Sequence, residues 1–473
     1  MNKLNILGIN ISTLNKKEVL EKIEEFLLTP SEAEGADGKR HQIVTPNPEF
    51  LLAAQHDEEF FYILNNADLA VPDGIGLKFA SWCLGENLKR ISGADLVKDI
   101  LHLAEEGGLK VAIANWDGGL STAEDIKKTL KEKYPKLQVV VEDIERNANQ
   151  FVIPAAEPGS RTVGAMTNDE YSGFRVKPGM TGEYAPDILF STLGAPWQDK
   201  FIFHALKQMP SVKLGMGVGG SFDFLTGKIK RAPLFLRFLG LEWLWRLAKQ
   251  PWRRRRIYNA VVVFPAKFLK WKFWLPLFYR SNVVCLVFKK VIRRGVIPQY
   301  CGTAHPNEKK YEYKILVVER QNESNHWQLP QGGMDGENIK NAGRREVEEE
   351  LGIKKINVIK IYKNLYKYDV RPPHAEYTNR FRSYGYRGQK QSLVIAEFLG
   401  RDEDIKINFW DHSGWKWIDA DNLVNEVHPI RREATKIFLE KFKTFVIPAF
   451  EPESRTVKKI IAGGFSGFPP SRE

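Results

Sequence analysis

Three carboxylates in the second half of the chain have the spacing of one helical face. Glu346, Glu349 and Glu350 are three and four positions apart, so a helix would bring all three side by side. Their like charges repel unless a cation neutralises them, and oxygen ligands of this kind suit Mg²⁺ or Mn²⁺. The pattern predicts a helix over residues 338–351 that ends at Gly352. A solvated acidic helix is a common explanation of the three glutamates alone, but WQLPQGG before the helix and the full order RExxEExG favour a metal site.

The loop before this helix carries a second useful pair. Arg345 lies at the right distance to reach back to Glu337, and we expect this ion pair to brace the loop.

In the first half, polar residues follow several predicted strands. Thr45 and Asn47 come after one strand, Asp73 after the next and Gln198 after a later one, and a glycine-rich loop over residues 217–221 follows another. Ligands of parallel α/β sheets sit beyond the carboxyl ends of the strands. A carboxylate held in such a loop could take a proton from a hydroxyl group. By spacing alone, however, an Asx turn is the better explanation of Asp73.

The elements that must position these residues alternate between strand and helix. Residues 4–12 are predicted to form one strand and residues 50–67 one helix, and further strands and helices alternate up to the glycine-rich loop. This order predicts an α/β fold, with a Rossmann-like, mostly parallel sheet covered by helices on both faces.

The basic residues are concentrated in one segment. Residues 240–300 contain 14 Lys or Arg against one acidic residue, Glu242, so this segment accounts for the whole formal net charge of +12. It is also rich in Trp and Phe. Cations attract anionic lipids and indole rings prefer the water–lipid boundary, so we expect a membrane surface to bind residues of about 240–294. Nucleic acid is the rival partner, and the third alternative is a solvated linker or a core helix with charged flanks.

Length and composition set the remaining limits. The 473 residues suggest two or three domains, and the 43% hydrophobic content excludes a disordered or collagenous chain. Three widely spaced cysteines argue against a disulfide framework. We find neither a long apolar span nor a signal peptide, which favours a cytoplasmic protein.

A short repeat interrupts this organisation. FVIPAAEPGSRTV at residues 151–163 recurs as FVIPAFEPESRTV at residues 445–457, with 11 of 13 positions identical. Both copies have the Pro and Ser content of loops, and the first also has a Gly. We expect an insertion over about 151–183 and a disordered tail over 444–473.

Six ordered blocks in the first half resemble the WecG/TagA/CpsF family, glycosyltransferase family 26. The blocks are TPNPEF, NNADLAVPDGIG, RISGADL, LGAPWQDKFI, GVGGSFDFLTGKIKRAP and GLEWLWRL, within residues 1–258. The resemblance implies transfer of an N-acetylhexosamine, typically N-acetylmannosamine, from a UDP-sugar to a polyprenyl-diphosphate-linked acceptor. It implies no metal for the transferase and a basic C-terminal appendage that docks on membrane.

The same resemblance assigns roles to individual residues. The presumed catalytic base of the family falls on Asp73. The substrate-binding positions that the resemblance and the charge of the departing UDP suggest are Thr45, Asn47, Arg90, Gln198 and Arg231.

The second half resembles the Nudix hydrolases. WQLPQGG, REVEEELGI, GQKQ and WKWID are similar to the branch that contains RNA pyrophosphohydrolases and diadenosine-polyphosphate hydrolases. This implies an α/β/α sandwich and metal-assisted hydrolysis of a diphosphate linked to another group. Glu346, Glu349 and Glu350 would then bind Mg²⁺ or Mn²⁺, with Glu349 also catalytic, and Lys390 would contact a phosphate.

Together these features predict a bifunctional enzyme at the inner face of the cell membrane. We expect a transferase domain over residues 1–258, a basic, aromatic membrane-interface linker over 259–291 and a Nudix domain over 292–443. The alternative is an RNA 5′-pyrophosphohydrolase or dinucleoside-polyphosphate hydrolase whose degenerate transferase half is a binding module. The sequence leaves the oligomeric state open.

Overall fold

The structure is a computed structural model that describes residues 3–29, 39–145, 185–230, 232–233, 244–245, 254–292, 311–321, 323–369 and 385–450. It contains two compact units, the first built mainly from residues up to Phe278 and the second mainly from residues from Tyr279 onward. The predicted insertion at 151–183 and Arg231 lie outside the described residues, as does the chain after residue 450.

The first unit is built on a parallel sheet. Its strands pair in the order β4-β3-β8-β7-β5-β6, and every pairing is parallel. Except in the edge strand β6, the strand residues are almost wholly buried, as expected for a sheet with helices on both faces. The strands are β3 (His41–Val44), β4 (Leu69–Ala70), β5 (Lys110–Trp116), β6 (Gln138–Ile144), β7 (Ile188–Ser191) and β8 (Leu214–Gly217).

The helices of this unit cover the sheet with apolar faces. Val19 and Ile23 of α1 and Leu96 and Ile100 of α5, for example, belong to the core cluster that includes strand residue Ile43. The helices are α1 (Lys16–Leu28), α2 (Pro48–Ala54), α3 (Glu58–Asn66), α4 (Ile75–Cys83), α5 (Gly93–Glu106), α6 (Ala123–Lys133), α7 (Trp197–Gln208) and α8 (Ser221–Leu225).

Two predicted elements of the first half are wrong in detail. Residues 4–12 form a hairpin, β1 (Lys3–Ile6) and β2 (Ile9–Ser12), because Leu7 and Gly8 turn the chain with φ of 50° and 87°. The single helix expected over 50–67 is two helices, α2 and α3, because the Asp57 side chain accepts a hydrogen bond from Phe60 N and starts a new helix.

A basic helical segment, residues 254–277, follows the α/β part of the first unit in sequence and belongs to the same unit. It comprises α9 (Arg254–Tyr258), a π-helical turn (Asn259–Val263), α10 (Phe264–Leu269), a second π-helical turn (Lys270–Trp274) and a 3₁₀ turn (Leu275–Leu277). Phe264 and Phe268 are fully buried in a core cluster with residues of β1, β2, α2, α3 and α4. The expected linker therefore contributes to the core of the first unit.

The second unit contains a mixed sheet. Strand β9 lies at its centre, antiparallel to β10 and β12 and parallel to β14. The strands are β9 (Tyr279–Ile292), β10 (Tyr311–Arg320), β11 (Trp327–Gln328), β12 (Gln331–Gly333), β13 (Ile356–Asp369), β14 (Gly388–Phe398) and β15 (His412–Asp419). The structure therefore differs from the domain boundary expected at 292, because residues 279–291 belong to the central strand β9, whose residues 282–288 are buried, rather than to a linker.

Helices pack on both faces of this sheet. Helix α11 (Ile339–Leu351) covers the face that carries Val283 and Val394, and α12 (Leu423–Glu426) and α13 (Arg432–Phe450) cover the face of Val284 and Leu393. Together with the parallel sheet of the first unit, this confirms the predicted fold class. No helix within the described ranges is long and apolar enough to cross a bilayer.

The expected start of the disordered tail is also wrong. Helix α13 continues to Phe450, and Val446 is fully buried in the core of the second unit. The apolar residues of the second repeat copy that we assigned to a loop, Phe445 and Val446, thus extend an amphipathic helix.

Candidate active sites

A cavity of about 720 Å³ opens at the carboxyl ends of the parallel strands in the first unit. The residues that follow β3, β4, β5, β7 and β8 line it, which is the place expected for a ligand in this type of sheet. The structure brings five of the six predicted transferase-site residues to this cavity: Thr45, Asn47, Asp73, Arg90 and Gln198.

Asp73 is held between two donors. Arg90 Nε lies 3.4 Å from one carboxylate oxygen, and the backbone N–H of Gly93, at the start of α5, lies 3.3 Å from the other. Both distances are long for hydrogen bonds, so the carboxylate is oriented but not tightly engaged. Its side chain stays 30% exposed, which leaves it accessible to a ligand in the cavity.

Thr45 and Asn47 differ in what they can offer a ligand. The Asn47 Oδ1 atom accepts the N–H groups of Glu49 and Phe50 at 2.9 and 3.1 Å and caps α2. Asn47 therefore has a structural role, and its amide nitrogen is the group that could serve the predicted ligand-binding role. Thr45 and Asp73 both lie beside Gly93 at the start of α5, where a β-carbon would be 3.5 Å from Thr45 and 3.7 Å from Asp73.

Gln198 fastens the glycine-rich loop. Its Oε1 atom accepts the N–H of Gly219 at 2.8 Å, and its side chain lies against Gly217 so closely that a β-carbon there would be 2.7 Å from Nε2. Gly219 has a φ of +50°, which favours glycine. Gln198 is only 2% exposed, so its main role in this structure is to position the loop.

The neighbour of Gln198 on α7 is an unusual acid. Asp199 is fully buried, and its backbone carbonyl accepts a hydrogen bond of 2.9 Å from Gln42. Burial raises the pKa of the Asp199 carboxyl to about 7, and neither carboxyl oxygen has a hydrogen-bond partner within the described residues.

Sequence reasoning missed a polar network on the β5 side of the cavity. Asn115, at the end of β5, donates to Asp143 at 2.7 Å and accepts from Thr192 at 2.9 Å. Ser121 donates to Asp223 at 2.8 Å. These residues come from the ends of β5, β6 and β7, from the loop after β5 and from α8. The predicted strand boundaries at β5 and β7 are the signal that could have identified Asn115 and Thr192.

The basic helical segment also reaches the cavity. Arg256 lines it and donates through Nε to Glu49 at 2.8 Å, and Ala260 and Val261 line it as well. The cavity wall therefore combines residues of the α/β core with residues of the segment that we expected to contact membrane.

The acidic helix of the second unit forms as predicted. Helix α11 begins after Asn338, whose side chain accepts the N–H of Asn341 at 2.9 Å, and it ends at Gly352 with a φ of +67°. Arg345 bonds to Glu337 at 3.3 Å, as expected, and also to Glu346 and Glu349 at 2.8 Å each. The Arg345 guanidinium thus donates hydrogen bonds to three carboxylates and to the carbonyl of Gly333.

Glu346 and Glu350 are crowded against the QGG strand. A β-carbon on Gly332 would collide with the Glu346 carboxylate, so only glycine fits between β12 and α11. Burial and then the charge of Glu350 raise the pKa of Glu346 to about 8. Glu350 accepts the N–H of Gln331 at 3.2 Å.

This donor set is chemically suited to a hard divalent cation, which would relieve the repulsion that now favours protonated Glu346. Over the ranges that the structure describes, no three His, Cys, Asp or Glu side chains converge as a metal-binding group. Instead, Glu346 and Glu349 share Arg345 as their cation.

Lys390 lies on the same sheet face as this acidic helix. Lys390 is four and six residues before Val394 and Ala396 of β14, so the three share a face, and Val394 and Ala396 belong to the core cluster under α11. A row of amides missed by sequence reasoning lies on the opposite face: Gln391 donates to Gln331 at 2.9 Å, and Gln331 to Gln328 at 3.1 Å. Strand alternation within GQKQ could have separated Lys390 from its two neighbours.

Comparison with known proteins matches the first unit. The model of the Glycosyl transferase WecG/TagA/CpsF family matches residues 4–151 and 179–276, about half of the chain. The N-acetylglucosaminyldiphosphoundecaprenol N-acetyl-beta-D-mannosaminyltransferase of Bacillus subtilis (strain 168) is 29% identical over 222 residues, 46% of this chain and 74% of the relative. The protein of the same name from Bacillus spizizenii is 31% identical over 216 residues, with the same coverage.

The second unit has its own relatives. The NUDIX domain model matches residues 306–439. The RNA pyrophosphohydrolase of Orientia tsutsugamushi (strain Boryong) is 34% identical over 125 residues, which cover 26% of this chain and 76% of the relative. The chain therefore belongs to the WecG/TagA/CpsF glycosyltransferase family and carries a Nudix hydrolase domain after its transferase domain.

Proposed function

We propose that the first unit transfers N-acetylmannosamine from a UDP-sugar to an N-acetylglucosamine linked through diphosphate to a polyprenol. The relatives that match this unit carry that activity in their names. The observation that carries the proposal is the shared cavity lined by Thr45, Asn47, Asp73, Arg90 and Gln198. A product of this kind would feed wall-polymer or surface-polysaccharide synthesis.

In this mechanism Asp73 is the general base. Its carboxylate takes the proton of the acceptor hydroxyl while that oxygen bonds to the anomeric carbon of the donor, and UDP leaves with the bonding electrons. Arg90 orients the carboxylate, and Gln198 shapes the loop after β8. Arg256, in the cavity wall, and Arg231 are the candidates to offset the negative charge of the departing UDP. The transferase step uses no metal.

A polyprenyl acceptor resides in a bilayer, so we further propose that the protein acts at the cytoplasmic face of the membrane. The basic helical segment supports this because it has apolar side chains both in the core and on the surface. Phe264 and Phe268 anchor it in the core, whereas Phe273, Trp274 and Leu277 are 60%, 58% and 67% exposed. Exposed aromatic and basic residues together suit anionic lipid.

The transferase proposal is tested by following UDP release from UDP-N-acetylmannosamine with a short-prenyl acceptor. We expect turnover by the wild type and its loss, by about 100-fold or more, in Asp73→Asn. Glu349→Gln is the matched control, because it removes a carboxylate from the second unit, and it should retain turnover. Absence of turnover in the wild type would instead support a degenerate transferase half that acts as a binding module.

For the second unit we propose hydrolysis of a nucleotide-linked diphosphate, with the 5′ end of RNA as the substrate class. The carrying observation is that Arg345 bonds to both Glu346 and Glu349, while Glu350 lies close enough to Glu346 to raise the pKa of that carboxyl. These glutamates would hold Mg²⁺ or Mn²⁺, which supplies polarisation of phosphoryl oxygens and a lower pKa of bound water. Lys390, on the same sheet face, would contact a phosphate.

The test for this activity is pyrophosphate release from 5′-triphosphorylated RNA, compared with diadenosine tetraphosphate, with and without EDTA. We expect Mg²⁺-dependent release that Glu349→Gln lowers by about 100-fold or more, whereas UDP release by the transferase should be unaffected by EDTA. Hydrolysis of diadenosine tetraphosphate but not of RNA would contradict the RNA assignment and identify dinucleoside polyphosphates as the substrate class. Salt-sensitive RNA binding without vesicle binding would assign the basic segment to nucleic acid.

A further inference from the structure

Helix α4 carries an apolar stripe that faces away from the core. Ile75, Phe79 and Trp82 are 43%, 38% and 77% exposed, and their spacing of four and three places them on one helical face. The opposite face holds Leu77 and Ala80, both fully buried. A helix whose two faces are both apolar needs a second apolar surface besides the core.

The stripe lies beside the basic helical segment in the same unit. The Phe79 ring meets Phe268 edge-on, with 6.4 Å between the ring centroids, and Gly76 of α4 lies next to Phe264. Leu269, one residue beyond Phe268, is 41% exposed. The exposed side chains of α4 and of the segment therefore come from two elements that pack against each other.

The same helix borders the candidate transferase site. Helix α4 begins two residues after Asp73, and its first residue, Ile75, lines the cavity together with Val261 of the basic segment. An apolar surface that starts at the rim of a polar cavity suits a ligand with a charged head and a hydrocarbon tail.

We propose that the Ile75–Phe79–Trp82 stripe is a second lipid-contacting element, which seats the rim of the cavity on an anionic bilayer. The biological role of this contact rests on the proposed transferase function, whereas the vesicle-binding test does not require the protein to be an active transferase. The charges around the stripe favour lipid as the occupant: Lys78 lies within it, and Lys270 and Lys272 are exposed on the neighbouring segment. A symmetric second copy would place these lysines against one another, whereas anionic head groups would neutralise them.

The test is co-sedimentation of the full chain with vesicles of equimolar phosphatidylglycerol and phosphatidylcholine. We expect Phe79→Ser/Trp82→Ser to lower the partition coefficient by about tenfold or more, because two large apolar side chains are lost from the interface. Leu28→Ser is the matched control: Leu28 is 81% exposed on α1, and its loss should leave partitioning unchanged.

A second readout separates this inference from the proposed function. UDP release with a short-prenyl acceptor in solution should be the same in the double variant and the wild type, whereas release with a long-chain acceptor embedded in vesicles should fall. Equal vesicle binding by the double variant and the wild type would overturn the inference even if the transferase is active. So would a wild-type dimer in lipid-free solution that the double variant converts to monomer.

Discussion

Arg90 donates its Nε–H to the Asp73 carboxylate across 3.4 Å, and this contact joins the start of α5 to the loop before α4. Because the contact is long, Arg90 orients Asp73 while leaving the carboxylate room to accept a proton. We expect Arg90→Ala to lower kcat for UDP release by about 10- to 100-fold. Arg90→Lys, which keeps the charge but loses the planar guanidinium, should recover only part of this loss. An Arg90→Ala variant with wild-type kcat and a raised KM would show that Arg90 binds substrate without positioning Asp73.

Gly217 has no room for a side chain because Gln198 lies against it. Gly217→Ala should displace Gln198 from Gly219, destabilise the first unit by about 1–3 kcal/mol and raise the KM for the UDP-sugar. Thermal unfolding and donor kinetics measure both effects. In the double variant Gly217→Ala/Gln198→Ala the collision is removed, so the stability loss should be smaller than the sum of the two single losses.

In the second unit, Gly332 likewise has no room for a side chain, because the Glu346 carboxylate lies against it. Gly332→Ala would push the Glu346 carboxylate out of place, so we expect Nudix hydrolysis to fall by about 100-fold or more while UDP release stays unchanged. Gly414→Ala is the control in the same sheet, since a β-carbon there makes only ordinary contacts of 3.7 Å. Wild-type hydrolysis by Gly332→Ala would contradict the assignment of Glu346 to the site.

The raised pKa of the buried Asp199 carboxyl leads us to expect that the stability of the first unit depends on pH. Its pKa of about 7 in the folded protein is above that of the unfolded chain, so the folded state keeps a proton that the unfolded state loses. The free energy of unfolding should therefore decrease as the pH rises from about 4 through about 7, by an amount on the order of 4 kcal/mol. Asp199→Asn, which is neutral at every pH, should flatten this decrease in denaturant titrations. An equal slope in the variant would assign the dependence to other groups.

The sequence was most informative where chemistry and local pattern coincide. Helix α11 could be placed from its cap residues and glutamate spacing because both are local, and Thr45, Asn47 and Asp73 could be grouped because parallel strands end on one edge. The roles proposed for these residues remain predictions.

Contacts between residues that are far apart in the sequence could not be predicted from local sequence patterns. The fit of Gln198 against Gly217 depends on how α7 packs on β8, and nothing in the sequence near either residue indicates it. Similarly, the Val-rich run of β9 follows a basic, aromatic run, and only its pairing with β10 and β14 shows that it is a central strand.

The position of β9 determines where the two enzymatic parts could be separated. Phe278 alone stands between the last turn of the basic segment and the first residue of this strand. A fragment that starts at residue 292 would lack the strand and leave β10 and β14 with unpaired edges, which invites aggregation. Any attempt to produce the Nudix part in isolation must therefore begin no later than Tyr279, so that the whole of β9 is retained.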